Sequence, residues 1–304
     1  MVNVDGNIAS NVFMIYLHGG PGGGSIPYNQ GYFSDKIQED YAVVYLDQRG
    51  NGSSQGNYDK EDLTIEQNSE DIYHLVQFLK AKYGNDISLF LAGHSWGGLT
   101  SAHALITTDI QEDIKGWIEI DGAHDFEKND IETVKMFQQF AAEEIANQRN
   151  VDFWQPVLER VNQMDTLNLT TEDSGYLNST GFKAEGKFDL AFSDLTSVIL
   201  PFFPNNPEFG VASSMSNRFV NPVLNEDSKT HLLTDRLHEI EIPSLFLWGK
   251  YDFVVPPAMG ESAYNLVNTT EKKLVIYESS GHSPMSSEGE LLLEDVKAFI
   301  EQYK

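Results

Sequence analysis

The stretch Ile87-Ser88-Leu89-Phe90-Leu91-Ala92-Gly93-His94-Ser95-Trp96-Gly97-Gly98 decides the fold. Its first six residues form a short apolar run, the pattern of a strand covered on both faces. From Gly97 to Thr107 the small residues predict a closely packed helix. Between the two, Gly93-His94-Ser95-Trp96-Gly97 fits Gly-x-Ser-x-Gly, and the strand-turn-helix context counts for more than the pentapeptide. A serine on such a turn sits in strained backbone that only small flanking residues tolerate. Its hydroxyl is held clear of the sheet, above a helix N-terminus whose dipole and free amides favour developing negative charge. Ser95 is therefore read as a nucleophile rather than as an incidental serine in a tight turn.

Outward from this point the chain alternates short strands with amphipathic stretches, the pattern of βαβ units around a parallel sheet. Strands are predicted at Val12–Leu17, Ala42–Asp47 and Lys115–Asp121. A helix capped by Thr64 carries apolar residues at Ile65, Ile72, Leu75, Val76 and Leu79 and stops at Gly84. The rhythm breaks from Gly122 to Arg236 and resumes with strands at Ser244–Trp248 and Lys273–Glu278 and a closing helix at Glu288–Tyr303. The reading is an α/β core of residues 1–121 and 237–304 interrupted by a mainly helical cap, 122–236. The first strand in the pattern begins at Val12, with about ten mainly polar residues before it, which predicts a sheet trimmed at that edge.

A serine hydroxyl is a poor nucleophile near neutral pH, so it needs a base, and the base needs an orienting acid. In an α/β-hydrolase fold the order along the chain is Ser, acid, His. His282 follows the strand Lys273–Glu278 and Asp252 follows Ser244–Trp248. Both therefore fall at the same C-terminal sheet edge as Ser95, where open α/β sheets place their sites. Asp121, which ends the strand after the nucleophile's helix, and nearby Asp125 are competing acids. After the first strand, His18-Gly19-Gly20-Pro21-Gly22-Gly23-Gly24 supplies backbone that can turn an amide toward a reacting carbonyl. The oxyanion hole is assigned to the amides of Gly20 and Trp96, with Gly19 as the substitute. His18 is read as an anchor of this loop. Gly19, His94 and Phe137 are candidate substrate contacts. A phosphate-cradling role is set aside, because no Gly-x-x-x-x-Gly-Lys-Ser/Thr is present and the dinucleotide spacing is not met.

Composition limits the alternatives. With no cysteine, disulfides, zinc-thiolate sites and a cysteine nucleophile are excluded. The spacing of the eight histidines suggests no metal site, so neither metal nor cofactor is expected. The first residues lack a basic segment and a long apolar run, which predicts a cytoplasmic chain, and the sequons at Asn51, Asn168, Asn178 and Asn268 are read as chance matches. A net charge of −26, from 46 acidic against 20 basic residues, predicts no nucleic-acid or membrane partner and favours neutral or cationic small molecules or short peptides.

The motifs HGGPGGG from His18, DQRGNGSS from Asp47, GHSWGG from Gly93, GKYD from Gly249 and SGHS from Ser280 together resemble the prolyl aminopeptidase (proline iminopeptidase) family of α/β hydrolases. The resemblance implies an eight-stranded, mostly parallel sheet flanked by helices, with a helical cap after the sixth strand and no metal. It implies release of N-terminal residues, often proline, from short peptides. Carried over, Ser95, Asp252 and His282 form the triad, Gly20 and Trp96 hold the oxyanion, and Asp47 and Arg49 brace the loops. The family fixes the substrate's free amine with cap glutamates, for which Glu132, Glu143, Glu144 and Glu159 are the acidic candidates in this chain. A carboxylesterase or a small amide or lactone hydrolase would use the same triad, with Phe137, Phe140, Trp154, Phe202 and Phe203 available to line an acyl pocket. A catalytically silent ligand-binding fold is the third reading.

Overall fold

The computed structural model describes residues 1–188, 190 and 218–304; Phe202 and Phe203 lie outside them. Seven strands form a single sheet in the order β1-β3-β2-β4-β5-β6-β7. They are β1 (Val2–Gly6), β2 (Val12–Leu17), β3 (Ala42–Leu46), β4 (Ser88–His94), β5 (Ile114–Ile120), β6 (Ser244–Gly249) and β7 (Lys272–Tyr277). All neighbours run parallel except β1, which pairs antiparallel with β3 from Val2 opposite Leu46 to Gly6 opposite Ala42. β1 corrects the expectation that the sheet begins at Val12. Its sequence, VNVDG, is short and largely exposed, so it lacks the apolar run that marks the buried strands. Among the described residues the sheet has seven strands rather than eight, and in this count the helical segment follows β5.

Helices cover both faces of the sheet. In chain order they are α1 (Tyr32–Asp40), α2 (Ile65–Tyr83), α3 (Trp96–Thr107), α4 (Phe126–Ala146), α5 (Val151–Val161), α6 (Thr171–Glu185), α7 (Asn221–Ser228), α8 (Pro257–Leu266), α9 (Pro284–Ser287) and α10 (Gly289–Tyr303). Because strand side chains alternate, β2 divides its residues between two cores. Phe13, Ile15 and Leu17 join Leu75, Leu79, Leu99 and Trp248 on one face, and Met14 and Tyr16 join Ile37, Val296 and Phe299 on the other. Thr64 caps α2 by accepting from the Gln67 amide at 3.1 Å. Helices α4, α5 and α6, between β5 and β6, share a third core of Val134, Phe137, Trp154, Leu177 and Phe253. Phe253 belongs to the loop after β6, so this core anchors the helical segment on one site-bearing loop. Among the described residues no helix is long and apolar enough to cross a membrane.

Candidate active site

Ser95 joins β4 to α3 in backbone of φ 55° and ψ −118°, a conformation that a non-glycine residue adopts only when its surroundings impose it. The flanking glycines are fixed by close approach. A Cβ on Gly93 would stand 2.2 Å from the Gly97 carbonyl oxygen, and a Cβ on Gly97 would stand 2.2 Å from that of Leu17. The elbow is thus closely packed between β4, the first turn of α3 and the neighbouring β2, which is why the pattern requires glycine at both positions.

Three side chains from three loops meet at this elbow. Ser95 Oγ lies 2.9 Å from His282 Nε2, and His282 Nδ1 lies 2.8 Å from Asp252 Oδ2. Asp252 is fixed in turn, its Oδ1 accepting the amides of Val254 and Val255 at 2.8 and 2.7 Å. Burial pulls the His282 pKa down, but the Asp252 carboxylate, its hydrogen bond and Glu185 outweigh this, so the imidazole is more basic than an ordinary histidine. The arrangement can pass a proton from Ser95 to His282 while Asp252 holds the ring in one tautomer.

The competing acids do other work. Asp121 is fully buried and accepts the Gly249 amide at 2.9 Å; burial and then the neighbouring Asp252 raise its pKa well above the carboxylate range. Asp125 caps α4 by accepting from the Lys128 amide at 3.0 Å and also accepts the Thr234 hydroxyl at 2.7 Å. Among the described residues, one potential ligand atom from each of His94, Asp121 and His282 lies within 4.8 Å of the other two.

The glycine-rich loop is secured from both sides. His18 Nδ1–H donates to the Gly19 carbonyl at 2.7 Å, and its Nε2 accepts the Gln48 amide at 3.2 Å. Gln48 also binds the His18 carbonyl and the Trp96 indole N–H, joining the loops after β2 and β3 to helix α3. Asp47 accepts the amides of Ser25 and Ser53, and Arg49 holds Asp71 through two hydrogen bonds of 2.6 and 2.9 Å. The Gly19 amide donates to the Tyr28 hydroxyl at 2.9 Å, so it is engaged in bracing the loop. Trp96 is the first residue of α3, where an amide has no partner within its helix. Gly20 is exposed within the loop, just before Pro21. Tyr28 donates on to His94 Nδ1 at 2.9 Å, and His94 Nε2 donates to the His282 carbonyl at 2.8 Å. Burial, then His282, pushes His94 down to about 3, so its ring is neutral and bridges two loops.

In the helical segment, Phe137 is wholly buried, with its ring 5.1 Å from that of Phe253, a packing position that offers no surface to a substrate. Trp154 is equally enclosed, and Phe140 packs on Phe188, Tyr251 and Phe253. Of the acidic candidates, Glu132 pairs with Lys135, Glu143 and Glu144 with Arg149, and Glu159 with Gln155. The carboxylate that does reach the site is Glu185, at the end of α6. Its Oε2 accepts the His282 amide at 3.2 Å, and a Cβ on Gly281 would stand 2.4 Å from that oxygen. Burial, then Asp252, pushes Glu185 up to about 8. Phe182, one turn earlier, sets its exposed ring edge-on against His282 at 5.9 Å. Neither Glu185 nor Phe182 has a sequence signal, because the proximity arises only when α6 folds back over the loops after β6 and β7.

Comparison with known proteins agrees with this geometry. Residues 28–290 match the family model described as serine aminopeptidase, S33. A probable aminopeptidase of Bacillus subtilis, YbaC, is 27% identical over 96% of this chain and 89% of its own length. A proline iminopeptidase of Saccharolobus solfataricus is likewise 27% identical, over 96% of this chain and 86% of its own. Among solved structures, an esterase of Exiguobacterium antarcticum superposes with a TM-score of 0.65 at 18% identity, covering 99% of this chain and 94% of that one.

Proposed function

The chain belongs to the serine aminopeptidase S33 family of α/β hydrolases, and on that premise we propose that it releases N-terminal residues, proline among them, from short peptides through an acyl-enzyme at Ser95. The hydrogen-bonded array Ser95–His282–Asp252 carries the acyl-enzyme part of this reading, and the family match with its aminopeptidase relatives supports the choice of substrate. Ser95 attacks the scissile carbonyl as His282 Nε2 takes its proton. The amides of Trp96 and Gly20 receive the oxyanion. The imidazolium, steadied by Asp252, then protonates the leaving amine, and a water deprotonated by His282 releases the acyl group. The substrate is neutral or cationic at its amino end, in keeping with the net charge of −26.

Esterase activity is the second reading. Phe182 favours it, since its exposed ring against His282 provides an apolar wall for an acyl chain. Hydrolysis of proline and alanine p-nitroanilides beside p-nitrophenyl acetate and butyrate separates the two. The aminopeptidase reading expects the anilides to have the higher kcat/KM, and Ser95→Ala to lower kcat by roughly 10⁴-fold or more. Turnover of the esters alone would reject it, and equal turnover by wild type and Ser95→Ala would reject Ser95 as the nucleophile.

A further inference from the structure

Away from the hydrolytic site, three side chains distant in sequence converge between the core and the helical segment. Glu66 lies in the first turn of α2, His103 in α3 and His231 just beyond α7. One donor atom from each lies within 4.8 Å of the other two. His231 Nε2 is 3.4 Å from Glu66 Oε1 and 3.6 Å from Asp227 Oδ2. Two ligands of a tetrahedral zinc, each roughly 2.0–2.1 Å from the ion, sit about 3.4 Å apart, so the His231–Glu66 and His231–Asp227 separations need little adjustment.

The tautomer of His103 follows from its neighbours. Its Nδ1 lies 2.7 Å from Ser69 Oγ and 3.3 Å from Thr107 Oγ1. Each hydroxyl commits its one proton to a carbonyl, Ser69 to Ile65 and Thr107 to His103 itself. Both therefore accept from Nδ1–H, which leaves the lone pair on Nε2. The His103 ring stands edge-on to His231 at a centroid distance of 5.0 Å. A ring nitrogen free to ligate, with the other donated to fixed oxygens, is how metal-binding histidines are held in register. The nearby cation Arg236 is engaged by Glu239 through bonds of 2.7 and 2.9 Å. Glu66 is exposed and leaves an entry path for an ion.

We propose that His103, His231 and Glu66, with Asp227 beside His231, form the site of a divalent zinc-class ion that fastens the helical segment to core helices α2 and α3. Two imidazoles with carboxylate oxygens suit that class better than calcium or magnesium, which take oxygen donors. Asp227 Oδ2 already accepts the Ile65 amide at 2.8 Å, which holds that oxygen in place.

The test uses the full chain carrying His282→Gln, which removes the grouping at the elbow, stripped of metal. It is titrated with zinc chloride against a competing chelator, and separately with cobalt(II) read by visible absorption. We expect one tight site, tetrahedral cobalt bands and a rise in Tm with zinc. Adding His231→Gln, or the surface change Glu66→Gln, should weaken zinc at least about tenfold and diminish the Tm rise. Weakening by either variant supports the site. A chain that binds no zinc in the His282→Gln background, or binds it equally well with both further variants, overturns it.

Discussion

Glu185 differs from every other carboxylate near the elbow in that it comes from the helical segment yet holds the backbone of His282. Its pKa of about 8 in the folded chain stands above the ordinary 4.5, so folding favours the protonated form. The stability this provides is complete below about 4.5 and is lost as pH rises toward about 8. Glutamine copies the protonated acid without titrating. The Tm of Glu185→Gln should therefore rise relative to wild type as pH climbs from about 5 to about 8, and a constant difference across that range would contradict the assignment. At Asp252 the expectation concerns activity. The His282 pKa is raised by Asp252, so Asp252→Asn should move the acid limb of kcat/KM to lower pH while kcat falls by roughly 10⁴-fold. An unmoved acid limb would mean that another group sets it.

The elements that the sequence makes legible are those with one dominant signal. β2, β4 and β6 each have a continuous apolar run at their centre, and α2 has its Thr64 cap, its apolar stripe and its stop at Gly84, so their bounds are readable to within a residue or two. Ser95, His282 and Asp252 are legible for a related reason, since each follows a recognisable strand. β1 is not, because an exposed antiparallel edge strand of five residues has no buried face to mark it. Glu185 and the His103–His231 contact depend on how α6 and α7 return to the core, which no local pattern encodes. The difference between local and packed features is measurable. Thr64→Ala removes one capping bond and should cost about 1 kcal/mol in urea unfolding with kcat unchanged. Gly97→Ala forces a methyl toward the Leu17 carbonyl, and should cost about 1–3 kcal/mol and lower kcat as well. Equal effects of the two on kcat would show that the elbow tolerates displacement.

At the scale of the whole molecule the charge imbalance acts on both stability and rate. With 46 acidic and 20 basic residues the folded chain repels itself, and added salt screens that repulsion. Tm should rise between about 10 and 150 mM sodium chloride. Over the same interval, kcat/KM should fall for a substrate with a cationic amine and hold steady for a neutral ester. A parallel change for both substrates would exclude steering by the field.

The run of contacts from the Gly19 amide through Tyr28 and His94 to the His282 carbonyl crosses from one end of the reaction to the other. On one side lies the loop proposed to cradle the oxyanion, and on the other the ring proposed to carry the proton. The buried, neutral His94 thereby joins the two loops in a single mechanical unit. Slackening at either loop is felt at the other, so His94→Ala combined with a change at Tyr28 should cost scarcely more than either alone. The histidine beside Ser95 works like the pin of a hinge, setting how far apart the two loops can drift.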